Sequence, residues 1–207
     1  MEARVAVLVS GSGTNLQVLL DDPSIAAHIV LVLSDRPAVK ALERAASAGV
    51  ETVVLGPEDF RDRDAYTDAV RDGLIARRVD TVVLAGFMRV LAPSFFEAFP
   101  DRVLNVHPAL LPAFPGGRAV RDALDWGAKV TGVTVHLVDD EVDHGPIVLQ
   151  ESLTVHDDDD WDSLEPRIHE IEHRLLPRAV RALLTGGLTV QGRKVRLEEE
   201  GAQGSRT

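Results

Sequence analysis

Two polar side chains stand in a loop otherwise built from prolines and glycines. In LNVHPALLPAFPGG, residues 104–117, Asn105 and His107 lie two positions apart. On a strand, that spacing puts both on one side of a sheet. An amide N–H can donate to a developing oxyanion, and an imidazole can carry protons near neutral pH. A histidine that is to stay charged needs a carboxylate, and Asp143 in DDEVDHGP (139–146) is the candidate. Pro108, Pro112 and Pro115 fix backbone angles, so the loop can hold such groups still. On spacing alone the plainer roles stay open: a turn cap for Asn105 and a satisfied core histidine for His107.

A second stretch, SGSGTN at 10–15, suits an anion. Gly11 and Gly13 let the backbone approach a ligand, and the following helix start presents free N–H groups. Gly13, Thr14 and Asn15 are the expected contacts of a single phosphate; the alternative is a tight strand-to-helix turn without a ligand. Asp35 mimics the ribose-binding acid of dinucleotide folds, but Leu16 stands where the third glycine of that fingerprint belongs. No Gly-Lys-Ser/Thr ending follows, so the nucleoside triphosphate loop fails too.

These groups need a scaffold, and the hydrophobic pattern supplies one. RVAVLV (4–9), IVLVL (29–33), TVVL (52–55) and TVVLA (81–85) are almost wholly apolar, as strands covered on both faces are. Helices are predicted between them at 14–22, 38–48 and 64–78. Repeated β-α-β units give an α/β, Rossmann-like, doubly wound and mostly parallel sheet with helices on both faces. Beyond it, VLNVH forms a further strand, 118–126 a helix, and 132–138 with 146–155 a long hairpin. A last helix spans 161–185, with a break or kink expected at Pro166 and Pro177. LTVQGRKVRL reads as a terminal hairpin turning at Gly192, and EEEGAQGSRT as a disordered tail.

The totals narrow the class. The chain has 207 residues, 45% of them hydrophobic, which suits one domain over 1–190 followed by a terminal strand and tail at 191–207. No apolar run is long enough for a membrane helix, and the N-terminus lacks a secretory pattern. The absence of cysteine, a count of 0, fits a cytoplasmic protein. A net charge of −11 argues against nucleic acid as a partner. HDDDDWD (156–162) reads as an acidic helix lead-in rather than a metal site, because consecutive acids cannot converge on one ion.

SGSGTNLQ, VVLAGFMRVLAP, LNVHPALLPAFPG, TGVTVHLVDDEVDHGPIVLQ and IHEIEHRLLP occur in that order. With these five segments the chain resembles the glycinamide ribonucleotide transformylases (phosphoribosylglycinamide formyltransferases) of purine biosynthesis over roughly 4–190. The resemblance implies the formyltransferase fold, with a phosphate-binding half over about 1–100 and a catalytic, folate-binding half over about 101–190. It implies transfer of a formyl group from 10-formyltetrahydrofolate to the amine of phosphoribosylglycinamide, without a metal. Asn105 would be the oxyanion donor, His107 the proton donor, and Asp143 the group that raises the His107 pKa. Gly13, Thr14 and Asn15 would bind substrate phosphate; His169, Glu170, Ile171 and Glu172 match the other substrate segment. Met88, Arg89, Val90 and Leu91 would form one folate wall and Asp139, Asp140, Glu141, Val142 and Asp143 the facing loop, with Asn105 and Arg63 as further folate contacts. The partners implied are these small molecules, with a homodimer left open. His136 is expected to be structural, with a place bordering the site as the alternative. Arg118 stands near where many relatives carry a histidine, and its role is open. Rival readings are a formyltetrahydrofolate hydrolase on the same triad and a non-catalytic phosphate-ligand module. A methionyl-tRNA formylating enzyme is disfavoured by the charge.

Overall fold

The computed structural model describes residues 2–198, and the tail from 199 to 207 lies outside them. The strands are β1 (Val5–Val9), β2 (Ile29–Ser34), β3 (Glu51–Val54), β4 (Thr81–Leu84), β5 (Val103–His107), β6 (Val130–Leu137), β7 (Ile147–Thr154), β8 (Leu188–Gln191) and β9 (Lys194–Leu197). They form one sheet in the order β3-β2-β1-β4-β5-β6-β7-β9-β8. The first five pair in parallel, as continuous apolar strands require. Strand β6 turns antiparallel to β5 and forms the expected hairpin with β7, and β8 and β9 form the second one.

The helices are α1 (Thr14–Leu20), α2 (Pro23–Ala26), α3 (Lys40–Ser47), α4 (Arg63–Ala76), α5 (Pro93–Ala98), α6 (Ala119–Trp126) and α7 (Trp161–Leu184). Side chains alternate along β1, so Val5, Val7 and Val9 enter one core with Leu16, Ala41 and Leu176, while Ala6 and Leu8 enter another with Tyr66, Val70 and Phe95. Both faces of the sheet are therefore covered at its centre, whereas β3, expected to be covered as well, is the edge strand beside β2 and is largely exposed. The helix expected at 14–22 ends at Leu20, and a separate short helix follows it, because Pro23 starts α2 and the Asp22 side chain caps it through the Ser24 N–H. Helix α5 was absent from the sequence reading; its six residues are too few to show a helical period.

Helix α7 corrects one part of another expectation, the break at its prolines. It runs unbroken for 24 residues through Pro166 and Pro177. Each proline removes a backbone bond at a cost of about 3 kcal/mol. A buried stripe of Leu164, Ile168, Ile171, Leu175, Leu176, Ala179, Val180 and Leu183 offsets that cost, and a capping box of Asp160 and Ser163 holds the first turn. Among the described residues no helix is long and apolar enough to cross a membrane.

The strand order reverses at β1, whose neighbours are β2 and β4. Ligands of open α/β sheets bind beyond the carboxyl ends of the strands at such a point. The loops that leave β1, β4 and β5 there are the three proline- and glycine-bearing segments singled out by sequence. Leu164 is fully buried under the sheet. Leu164→Ala should lower unfolding free energy by about 2–5 kcal/mol, read as a reduced urea midpoint at unchanged slope.

Candidate active site

Strand β5 ends in the two polar residues, and its register with β6 decides their neighbours. Asn105 pairs across with His136, and His107 with Thr134. Val103 belongs to the core on the Tyr66 face, so Asn105 and His107 share that side, while Leu104 and Val106 enter the opposite core. Thr134 Oγ1 donates to the Ala109 carbonyl at 2.7 Å and accepts from the Leu111 N–H at 3.0 Å. Gln150 Nε2 donates to the Leu111 carbonyl at 2.9 Å. The proline loop is thus held by the β6–β7 hairpin as well as by its own ring constraints.

Asp143 sits at the centre. Its Oδ2 accepts from the Gly116 N–H at 2.7 Å and lies 3.3 Å from His107 Nδ1. Its Oδ1 accepts from Asn105 Nδ2 at 3.3 Å and lies 3.6 Å from His136 Nε2. The residue has φ 53°, a left-handed conformation that a non-glycine side chain adopts at an energetic cost. Gly145 makes the turn possible: a Cβ there would stand 1.9 Å from the Leu137 carbonyl oxygen.

Both ring nitrogens of His107 are engaged, Nδ1 by Asp143 and Nε2 by the Phe114 carbonyl at 2.8 Å. Burial pushes the His107 pKa below its ordinary value; the Asp143 charge and the Phe114 carbonyl pull it up without overcoming that. The expected raising by Asp143 is therefore present but outweighed. For Asp143 itself burial pushes upward, yet the His136 ring, the His107 charge and the Gly116 N–H together hold it below the ordinary carboxylate range.

His136 has neighbours at both ring nitrogens and also borders this cluster. It is fully buried, and its Nδ1 lies 2.8 Å from the Leu137 carbonyl. A carbonyl only accepts, so this nitrogen carries a proton. Asn105 Nδ2 lies 3.1 Å from His136 Nε2. The Asn105 amide nitrogen thus faces both His136 and Asp143, and donation to a ligand requires release of its contact with Asp143.

A second group forms where α1 meets α7. Asn15 Nδ2 donates to Glu172 Oε2 at 2.8 Å, and His169 Nδ1 bonds the same oxygen at 2.8 Å. This hydrogen bond to Glu172 raises the His169 pKa against the opposing effect of burial. Gly13, at φ 71°, packs so closely on α3 that a Cβ would meet that of Ala41 at 2.6 Å. Helical spacing separates the remaining residues of the segment: Ile171 is in the core and Glu170 faces solvent. The Glu172 charge acts on His107, which ties this group to the first.

A cavity of about 220 Å³ adjoins the Asp143 cluster. Met88, Arg89, Val90 and Leu91 line one side, Asp139 to Asp143 the other, with Asn105 and His107 at the polar end. Arg63 is not brought to it; its exposed side chain lies 3.6 Å from Asp64. Arg118 turns to Asp122 and Asp125 on its own helix, each at 3.7 Å. Among the described residues no group of three or more histidine, cysteine or carboxylate side chains is placed to hold a metal ion.

Residues 3–180 match the family described as formyl transferase. The chain belongs to that family. Phosphoribosylglycinamide formyltransferase of Mycobacterium tuberculosis is 49% identical over 193 residues, covering 92% of this chain and 89% of the relative. The trifunctional purine biosynthetic protein adenosine-3 of Drosophila melanogaster is 45% identical over 188 residues. There the match spans 88% of this chain but only 14% of the longer protein. The crystal structure of glycinamide ribonucleotide transformylase 1 from Symbiobacterium toebii superposes with a TM-score of 0.91 at 44% identity, covering 96% of this chain and 95% of that one. The Rossmann-like fold of formyl transferases is thereby shared across nearly the whole sheet.

The opposing influences on His107 can be separated. Its NMR titration midpoint should fall below that of an ordinary histidine, and Asp143→Asn should lower it further by removing the largest upward influence. A midpoint that rises in the variant would contradict this account.

Proposed function

We propose that this formyl transferase moves the formyl group of 10-formyltetrahydrofolate to the amine of phosphoribosylglycinamide, in purine biosynthesis. The observation that carries the proposal is one cavity whose polar end holds Asn105, His107 and Asp143, beside a second group built on the glycine loop. The folate co-substrate fits between the Met88–Leu91 wall, which is mostly apolar, and the acidic 139–143 loop, with Asn105 and His107 at one end. The ribonucleotide phosphate belongs on Gly13, Thr14 and Asn15. Glu172 fixes the Asn15 amide there, and protonated His169 neutralises the Glu172 carboxylate that would otherwise repel the phosphate.

The chemistry follows from this placement. A substrate amine with a pKa of about 8 is partly neutral at pH 7 and attacks the formyl carbon. The carbonyl electrons move onto oxygen, where Asn105 Nδ2 donates once its contact with Asp143 gives way. His107 enters neutral, because burial lowers its pKa. Its Nε2 already donates to the Phe114 carbonyl, so Nδ1 takes the proton released by the attacking nitrogen, and the imidazolium formed is stabilised by Asp143. As the carbonyl re-forms and the bond to N10 breaks, His107 hands the proton to N10. The products are the N-formyl ribonucleotide and tetrahydrofolate. Asp143 and the Phe114 carbonyl thus favour the transient cation rather than a resting one.

We read the protein as one domain over 1–190, cytoplasmic, acting on small molecules without a nucleic-acid or membrane partner. The same residues on the same folate would also serve a hydrolase, so the assay separates the two. Loss of 10-formyltetrahydrofolate absorbance should require the ribonucleotide, and His107→Ala should cut turnover by about 10²–10⁴-fold. Loss without the ribonucleotide would make the protein a hydrolase. A raised His169 pKa keeps that ring cationic above the ordinary histidine range. The KM for the ribonucleotide should therefore climb once pH passes the raised value, and His169→Gln should abolish that climb.

A further inference from the structure

The segment 85–92, AGFMRVLA, forms the Met88–Leu91 wall and has no helix or strand hydrogen bonding of its own. Three buried side chains from three other elements hold it. Ser10 Oγ, at the end of β1, accepts from the Met88 N–H at 2.8 Å. Thr67 Oγ1, on α4, accepts from the Ala92 N–H at 3.0 Å. Asp35 Oδ2, just beyond β2, accepts from Arg89 Nε at 2.6 Å.

Asp35 is the most demanding of the three. Its side chain is 0% exposed, so its charge has left water almost entirely. An ionised carboxylate in that position costs several kcal/mol without a close partner. Arg89 is that partner; Arg36, 3.7 Å away and half in solvent, is a weaker one. The second oxygen, Oδ1, has no hydrogen-bond partner among the described residues. A carboxylate so placed has a strong preference for keeping Arg89, and with it the wall, in one position. The ribose-binding role that its sequence position suggests is closed, because the side chain is fully buried and gives a ribose no access.

We propose that Asp35 is a positioning residue for the folate wall, acting through Arg89. The inference rests on the reading of 88–91 as the folate side of the cavity. It assigns the acid of the dinucleotide-like fold a different task, that of fixing the surface on which the folate ring lies. Ser10 and Thr67 complete the frame, so a wall without regular secondary structure is set by three neutral or charged acceptors.

Asp35→Asn keeps the shape and removes the charge. The KM for 10-formyltetrahydrofolate should rise on the order of tenfold, the equivalent of one lost charge-assisted bond. Both kcat and the KM for the ribonucleotide should stay within about twofold, since the reacting groups are untouched. Arg89→Gln should raise the same KM, and the double variant should be no worse than Arg89→Gln alone, because both act through one contact. Should Asp35→Asn not fold, Ser10→Ala, which exposes no buried charge, tests the frame by the same split between the two KM values. A raised folate KM from Arg89→Gln with no change from Asp35→Asn overturns the role of Asp35. A loss spread equally over kcat and both KM values overturns it as well, by showing only general disruption. An unchanged folate KM in Arg89→Gln overturns the wall reading itself.

Discussion

A single carboxylate organises the polar end of this molecule. Asp143 receives the Gly116 N–H and stands beside His107, Asn105 and His136. These neighbours come from three separate parts of the chain: the end of β5, the proline loop and β6. Two acceptor oxygens are shared among four groups, so none of them can move without altering another's partner. Burial makes this coupling strong, since charge interactions grow as water is excluded. It also means that the proline loop is more than a brace. It contributes a carbonyl to His107 and an N–H to Asp143, closing the ring of contacts.

Much of this was legible in the sequence because it depends on local chemistry. Apolar β-branched runs gave the parallel strands, and the two-residue spacing of Asn105 and His107 gave their shared face. Other features were hidden for physical reasons. Pro166 and Pro177 argue locally for a break in α7, but the buried stripe along that helix outweighs them. Ile171 and Glu170 lie in a stretch that matches a substrate segment, yet a helix can present only one face, and that face carries His169 and Glu172. His136 depended on antiparallel register, which a linear pattern does not reveal. The balance at His107 depended on depth of burial, and no sequence spacing reports that.

The two halves of the sheet are joined by polar contacts as well as by backbone ladders. Ser10 lies between the glycine loop and the segment after β4, bonding Met88 while its neighbours form the candidate phosphate cradle. The Glu172 charge reaches His107 from the far end of the chain. Geometry on one side of the cavity is therefore not independent of occupancy on the other. A buried site with shared acceptors has few ways to deform, which favours fixed geometry over adaptability.

The bond between Asn15 and Glu172 spans 157 residues of sequence. A chain emerging from the ribosome offers its N-terminal end first. Strands β1 to β4 can pair while the rest is still being made, but Asn15 must wait for most of α7 before its buried partner exists. Until then the glycine loop has its α3 contacts and lacks its polar floor. Competence is thus delayed to the last stage of synthesis, and a nascent or truncated chain that stops short of α7 carries the cavity's histidine without a finished seat for the second reactant.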